Sequence, residues 1–244
     1  MLKRCQPRAG AGKEDSVYID HYYIILVLPA LLFSLIAQGM VTSAFSKYSK
    51  ITNSKNITGS DAARILMQQS RISDVKIEAV QGSLSDHYDP SHKVLRLSEP
   101  VYGRPSIAAV GVAAHETGHA IQHAKGYAPL GLRSALVPAA QLGSSLGPAL
   151  AVLGLIVSLP ALFNLGIILF TAAVGFTLIT LPVEFNASSR AIAILRDGKV
   201  LSEEELAGVK KVLTAAALTY VAAALSAIAN LLRLVLLSRN RRRR

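Results

Sequence analysis

Three long stretches of this chain carry no charged residue, and they divide the sequence before any motif is considered. Residues 22–45, 134–183 and 212–232 contain no Asp, Glu, Lys or Arg. A helix needs about 20 apolar residues to cross a bilayer. The first and last stretches each suffice for one span. The middle stretch, 50 residues long, suffices for two, with Ser158-Leu159-Pro160 as the turn between them. The pattern therefore predicts about four transmembrane helices. The first apolar run exceeds a typical signal-peptide core and no A-x-A site follows it, so it is expected to stay as an anchor.

Between the first two stretches the hydrophobic period changes. Thr58-Gly59-Ser60-Asp61 predicts a helix start, with Ala62, Ile65, Leu66 and Gln69 at helical spacing to about Ser70. Val75 to Val80 alternates as a strand does. Leu84–Tyr88 and Val94–Leu97 predict a hairpin turned by Asp89-Pro90-Ser91. Ser106, after Pro105, is a candidate N-cap for an uncharged Ala-rich helix. The expected organisation is a disordered basic extension over 1–20, a transmembrane helix over 21–45, a catalytic region over 46–133 and a transmembrane hairpin over 134–183. A helix and loop over 184–211, a last transmembrane helix over 212–237 and a basic tail over 238–244 follow.

Composition supports this division. Of 244 residues, 51% are hydrophobic and 17% charged, against roughly 25% charged in an ordinary soluble domain. The net charge of +11 does not signal nucleic acid. Five arginines fall within Arg239–Arg244, directly after an apolar span, where they suit anchoring to anionic lipid. No basic surface interleaved with aromatics accompanies them, so no nucleic-acid partner is expected. The single cysteine, Cys5, excludes an internal disulfide and a cysteine zinc site. Basic residues flank the spans on both sides, which leaves the membrane orientation balanced.

The candidate chemistry lies in His115-Glu116-Thr117-Gly118-His119, an HExxH sequence. Histidines four apart lie on one face of a helix and can share one metal ion, with the glutamate beside them as general base. A catalytic zinc takes three protein ligands and leaves a position open. A third histidine ten residues after the first is ruled out, because that position is Lys125. Glu184 is the candidate, since it ends a 50-residue uncharged run and a carboxylate there is costly unless it binds something. The alternative for Glu184 is a helix cap or an ion pair with Arg190. Sharing a metal also requires an even number of spans between His119 and Glu184, which the hairpin provides. His123 lies one turn beyond His119, about 6 Å along the axis, and suits support of a ligand or simple packing. His87 suits either oxyanion stabilisation in a cleft or a turn held by polar side chains. His21 and His92 read as surface or interfacial residues.

Ser85-Asp86-His87-Tyr88-Asp89-Pro90, Leu97-Ser98-Glu99-Pro100-Val101-Tyr102, the HETGHAIQH run and Leu181-Pro182-Val183-Glu184-Phe185-Asn186-Ala187 together resemble the YugP-type neutral zinc metallopeptidases of bacteria. The likeness runs from about Tyr22 onward. It implies a membrane-bound, zinc-dependent peptidase of the bacterial cell membrane. The segment from Glu184 to Ser188 also resembles the E-F-x-A-D signature that carries the third ligand in membrane-embedded gluzincins. Where that signature has an aspartate supporting a zinc-binding histidine, this chain has Ser188. Asn186, Ser188 and Arg190 are the neighbours left for that role.

The expected fold is a mainly α membrane protein with a small α+β, zincin-like catalytic region. The expected function is hydrolysis of peptide bonds with Zn2+ held by His115, His119 and Glu184 and with Glu116 as base. Substrates would be peptides or proteins, membrane proteins among them, and the lipid bilayer is the other partner. The alternatives are a zinc hydrolase acting on a non-peptide bond and a non-catalytic zinc-binding scaffold or quality-control protein.

Overall fold

A computed structural model describes residues 20–242. The expected basic extension lies outside the described residues except for Asp20, as do the last two residues of the tail. A turn of π-helix, Tyr23–Val27, leads into α1 (Leu28–Tyr48). Then come α2 (Gly59–Gln69), β1 (Lys76–Val80), β2 (His87–Asp89), β3 (Val94–Ser98), a single turn α3 (Glu99–Tyr102) and α4 (Ile107–Ala124). Three long helices complete the chain: α5 (Ala128–Ile156), α6 (Pro160–Asp197) and α7 (Glu203–Arg242). Four helices, Tyr23–Tyr48, α5, α6 and α7, are long and apolar enough to cross a membrane. The chain is a multi-pass integral membrane protein, mainly helical, with one small mixed sheet.

The long helices run past the uncharged stretches. α5 begins before residue 134, and α6 continues beyond Val183 for fourteen residues, so Glu184 sits inside a continuous helix. Pro138, Pro148 and Pro182 lie within these helices, as neighbouring helices in a bundle permit. The turn falls where expected: Ser158 takes a positive φ of 54° and Pro160 opens α6, a position where the missing N–H has no helical partner anyway. α5 and α6 approach so closely that a Cβ on Gly147 would stand 2.8 Å from Phe170 Cβ, and Gly143, Gly154 and Gly166 are similarly closed off by backbone. Small residues are the usual means of bringing membrane helices together. α1 packs mainly on α7, and Arg233 of α7 makes an ion pair with Asp20, just before the π-helical turn, Nη2 to Oδ2 2.7 Å.

The segment between the first two spans is a compact layer against the bundle. Thr58 caps α2 through a reciprocal box: its Oγ1 accepts from Asp61 N at 3.2 Å, and its own N–H donates to Asp61 Oδ2 at 3.3 Å. The sheet has order β1-β3-β2, with β1 parallel and β2 antiparallel to β3. The hairpin foreseen in the sequence is the β2–β3 pair. Asp89 belongs to β2, and the turn is Pro90 to Lys93. Leu95 and Leu97 of β3 pack on Ala109 and Ala113 of α4, all of them buried. The other face of α4 meets α2, α6 and α7 through Ala108, Val110 and Ala114 against Leu66, Leu195 and Val209. A helix enclosed on all sides has to be rich in small apolar residues, as α4 is.

Candidate metal centre

Ser106 Oγ accepts from Ala109 N at 3.2 Å and starts α4. Nine residues on, His115 projects its ring beside that of His119, with centroids 4.8 Å apart and planes nearly perpendicular. α6 crosses α4 at Gly118, where a Cβ would stand only 2.5 Å from Ala187 O. No residue larger than glycine fits at that crossing without moving one helix. The close approach carries Glu184, buried within α6, to the two imidazoles. Glu184 Oε2 lies 3.1 Å from His115 Nε2 and 3.6 Å from His119 Nε2. One donor atom from each of the three residues falls within 4.8 Å of the others. His115, His119 and Glu184 thus form a cluster able to hold a metal ion. Arg190, the alternative partner foreseen for Glu184, turns elsewhere.

The outer ring nitrogens are engaged as well. His115 Nδ1 lies 3.0 Å from Ser188 Oγ, and His119 Nδ1 lies 3.0 Å from Gln122 Oε1. Gln122 Nε2 donates to Val183 O at 2.8 Å and to Asn186 Oδ1 at 3.0 Å, and Arg190 Nε donates to the same Asn186 oxygen at 2.7 Å. With its nitrogen committed to two acceptors, the Gln122 amide presents its oxygen to His119. Nδ1 of His119 then carries a proton, so in the neutral ring it is Nε2, the nitrogen facing Glu184, that has the free lone pair. This is the tautomer a metal needs, fixed by a partner on the far side of the ring. The guanidinium of Arg190 also lies over the Tyr127 ring, 5.8 Å from its centroid.

A test of fit comes from Glu184 itself. Its Oε1 is buried and meets no hydrogen-bond geometry among the described residues. The Tyr220 hydroxyl interacts with the same carboxylate, and Arg133 Nη1 stands 3.3 Å from Oε1. The pair is therefore a charge contact without hydrogen-bond geometry. A carboxylate this enclosed, with two neutral-capable imidazoles on its other oxygen, suits a divalent cation. The donor set of two nitrogens and one carboxylate oxygen suits zinc with one open position.

Glu116 occupies the same helical turn. Tyr88 N, on the side of β2 turned away from β3, donates to Glu116 Oε2 at 3.1 Å. Glu116 keeps part of its surface open, yet the atoms around it exclude most water. That desolvation pushes its carboxyl above the usual range, against the opposing pull of His115 and His119. Tyr88 also reaches along α4: its hydroxyl lies 2.7 Å from His123 Nδ1. Burial, with help from Asp74 and Asp89, pushes that hydroxyl up to about 12, so Tyr88 is the donor and His123 the acceptor. His123 joins β2 to the end of α4 and stands outside the ligand cluster. His87 is exposed, with Nδ1 2.7 Å from Ser85 O and Nε2 3.3 Å from Arg96 Nη1. Neither nitrogen meets the cluster. His92 is engaged with Asp89 at 2.7 Å.

Gln122 and Arg133 were not singled out from the sequence. Gln122 follows His119 by three residues, a spacing that places them together on a helix. Arg133 and Glu184 are the two charges that bracket the uncharged hairpin, so any closed hairpin would bring them together at its mouth. Asp86 accepts from Ser98 N at 2.7 Å and Ser98 Oγ at 2.9 Å, and so fixes the start of β2 to the end of β3.

Residues 23–239 match the family described as "Putative neutral zinc metallopeptidase". A curated relative, "Putative membrane protease YugP" of Bacillus subtilis (strain 168), is 49% identical over 220 residues, covering 90% of this chain and 98% of the relative. No solved structure matches the chain.

Proposed function

The chain belongs to this family of neutral zinc metallopeptidases, and from that premise we propose how its residues divide the work of cutting a peptide bond. His115, His119 and Glu184 hold the zinc, and Glu116 is the general base. The observation that carries this reading is the convergence of those three donors within 4.8 Å, on the helical turn that also bears Glu116. Zinc, when bound, supplies a Lewis acid that makes water a nucleophile near neutral pH and stabilises negative charge on a carbonyl oxygen.

The protein's own groups do the rest. Glu116 takes the proton from the attacking water and delivers it to the leaving amine, two transfers that suit a carboxyl raised by desolvation. Ser188 and Gln122 hold the two imidazoles by their outer nitrogens. Asn186 and Arg190 hold Gln122 in turn through the shared oxygen. Arg133 balances the charge on the Glu184 oxygen that faces away from the histidines.

The substrate is a polypeptide in extended form. β2 is an edge strand, and the Tyr88 N–H on its open side already points at Glu116. A peptide that added itself along that edge would pair its backbone with β2 and lay its carbonyl beside the metal cluster. His123 supports this edge through Tyr88.

The test is Glu116→Gln in the full-length protein. Zinc content stays at the wild-type level, and turnover of a cleaved protein substrate falls by about 10²–10⁴. Turnover within a few-fold of wild type would remove Glu116 from the chemistry.

A further inference from the structure

We propose that the groove between α1 and α7 binds one anionic phospholipid, its phosphate at Lys47, Lys210 and Lys211 and an acyl chain along Ile36 and Met40. The groove measures about 700 Å³ and lies open along its length, with Ile36 and Met40 exposed. Its α1 wall follows one helical face, Ile36, Met40, Ser43 and Lys47, with α7 opposite. None of the metal-centre residues lines it, so the inference does not depend on the peptidase reading.

The two ends of the groove differ in chemistry. The deep end is apolar and lies within the span. The other end holds three ammonium groups: Lys47 in the last turn of α1, and Lys210 and Lys211 directly before the uncharged stretch 212–232. That is the level at which a lipid phosphate sits when its chain lies along the helices. Among the described residues, none of the three lysines pairs with an acid. Lys47 Nζ instead lies 5.5 Å from the centroid of the Tyr48 ring. The acids nearest in sequence to Lys210 and Lys211, Glu203 to Glu205, are in the first turn of α7, and Glu205 is occupied by Ser54 N and Ser202 N. Three cations without acids at the mouth of an apolar groove favour an anionic headgroup over a zwitterionic one.

Two glycines shape the groove. A Cβ at Gly208 would lie 2.8 Å from Tyr48 Cε1, so glycine there lets the Tyr48 ring, part of the groove wall, lie against α7. A Cβ at Gly39 would meet nothing within 4 Å. Gly39 is thus open floor, and a larger side chain there would fill the groove without striking protein.

That opening separates a site from a merely basic surface. Native mass spectrometry of the full-length protein in mild detergent would follow binding of phosphatidylglycerol and phosphatidylcholine, with zinc content marking each variant as folded. The wild type binds phosphatidylglycerol at least about tenfold more tightly. Lys210→Gln with Lys211→Gln removes most of that preference; Lys47→Gln serves if the double variant does not fold. Gly39→Leu weakens both lipids while every charge stays in place. Equal binding of the two lipids by the wild type, or unchanged binding by Gly39→Leu, would overturn the proposal.

Discussion

Two helix crossings in this protein use the same steric device for different ends. In the α5–α6 hairpin, Gly147 lies against Phe170 with room for nothing larger. At the metal centre, Gly118 of α4 lies against the Ala187 carbonyl of α6 in the same way. The hairpin crossing sets how tightly two lipid-facing helices pack, and nothing chemical depends on the last half ångström. The α4–α6 crossing sets where Glu184 Oε2 stands relative to two imidazoles 3.1 and 3.6 Å away, and there half an ångström decides whether three donors converge. Membrane packing is thus recruited as the third wall of a cluster whose two histidines belong to the layer between the first two spans.

The comparison breaks most severely if the α6 donor itself is removed. Glu184→Gln leaves the crossing intact but takes away the anionic donor. We expect zinc in the purified protein to fall to near background and peptidase activity to be lost with it. The hairpin should be untouched, so thermal unfolding followed by helical circular dichroism should change little once each form is compared without metal. Full zinc occupancy in this variant would mean that Glu184 is not a ligand.

A smaller effect is expected one bond further out. Gln122→Leu keeps shape but strips the acceptor from His119 Nδ1, so the ring loses the partner that fixes its tautomer. Loss of such a partner weakens metal affinity by about 10–100-fold, measurable by competition with a chelator. Affinity within twofold of wild type would show that Gln122 does not orient His119. The prediction also bears on what was legible in the sequence. HExxH singled out the two histidines and the glutamate by spacing alone, and the apolar runs gave the spans because lipid demands them. Glu184 stood out because a carboxylate ended a run that lipid would not otherwise interrupt. Gln122 and Arg133 did not stand out. Their roles depend on how α6 lies across α4 and how the hairpin closes, which no local period encodes. Nor did the sequence show that α6 continues through the site to Asp197, because the hydrophobic pattern changes at Glu184 while the helix does not.

The glycine pair sharpens the comparison directly. Gly118→Ala and Gly147→Ala add the same methyl to two closed crossings, with nearest approaches of 2.5 and 2.8 Å, and overpacking of this kind costs about 1–3 kcal/mol in either place. Their functional outcomes should diverge. Gly118→Ala should lower zinc affinity and activity together, because relief of the clash moves Glu184 from the histidines. Gly147→Ala should lower unfolding temperature while leaving zinc affinity within about twofold of wild type. Equal losses of zinc in both variants would show that the hairpin as a whole, and not the α4–α6 crossing, positions the carboxylate.

The smallest effect belongs to a part of the catalytic layer that touches neither crossing. Thr58 and Asp61 cap α2 reciprocally, and Thr58 Oγ1 also donates to Asp61 Oδ2 at 2.6 Å. That hydrogen bond, opposed in part by burial, holds the Asp61 carboxyl below its ordinary value of 3.8. A carboxyl lowered on folding contributes stability that is fully present above the unfolded value and is lost as pH falls through the folded one. α2 should therefore loosen in acid below about pH 4, ahead of any change in the hairpin. Thr58→Ala removes the cap at a cost of about 1 kcal/mol and should flatten that acid dependence, because the carboxyl then loses its main reason to stay ionised. Hydrogen exchange of the α2 amides as a function of pH reads both effects. If wild type and Thr58→Ala show the same acid dependence, the capping box does not set the stability of this helix.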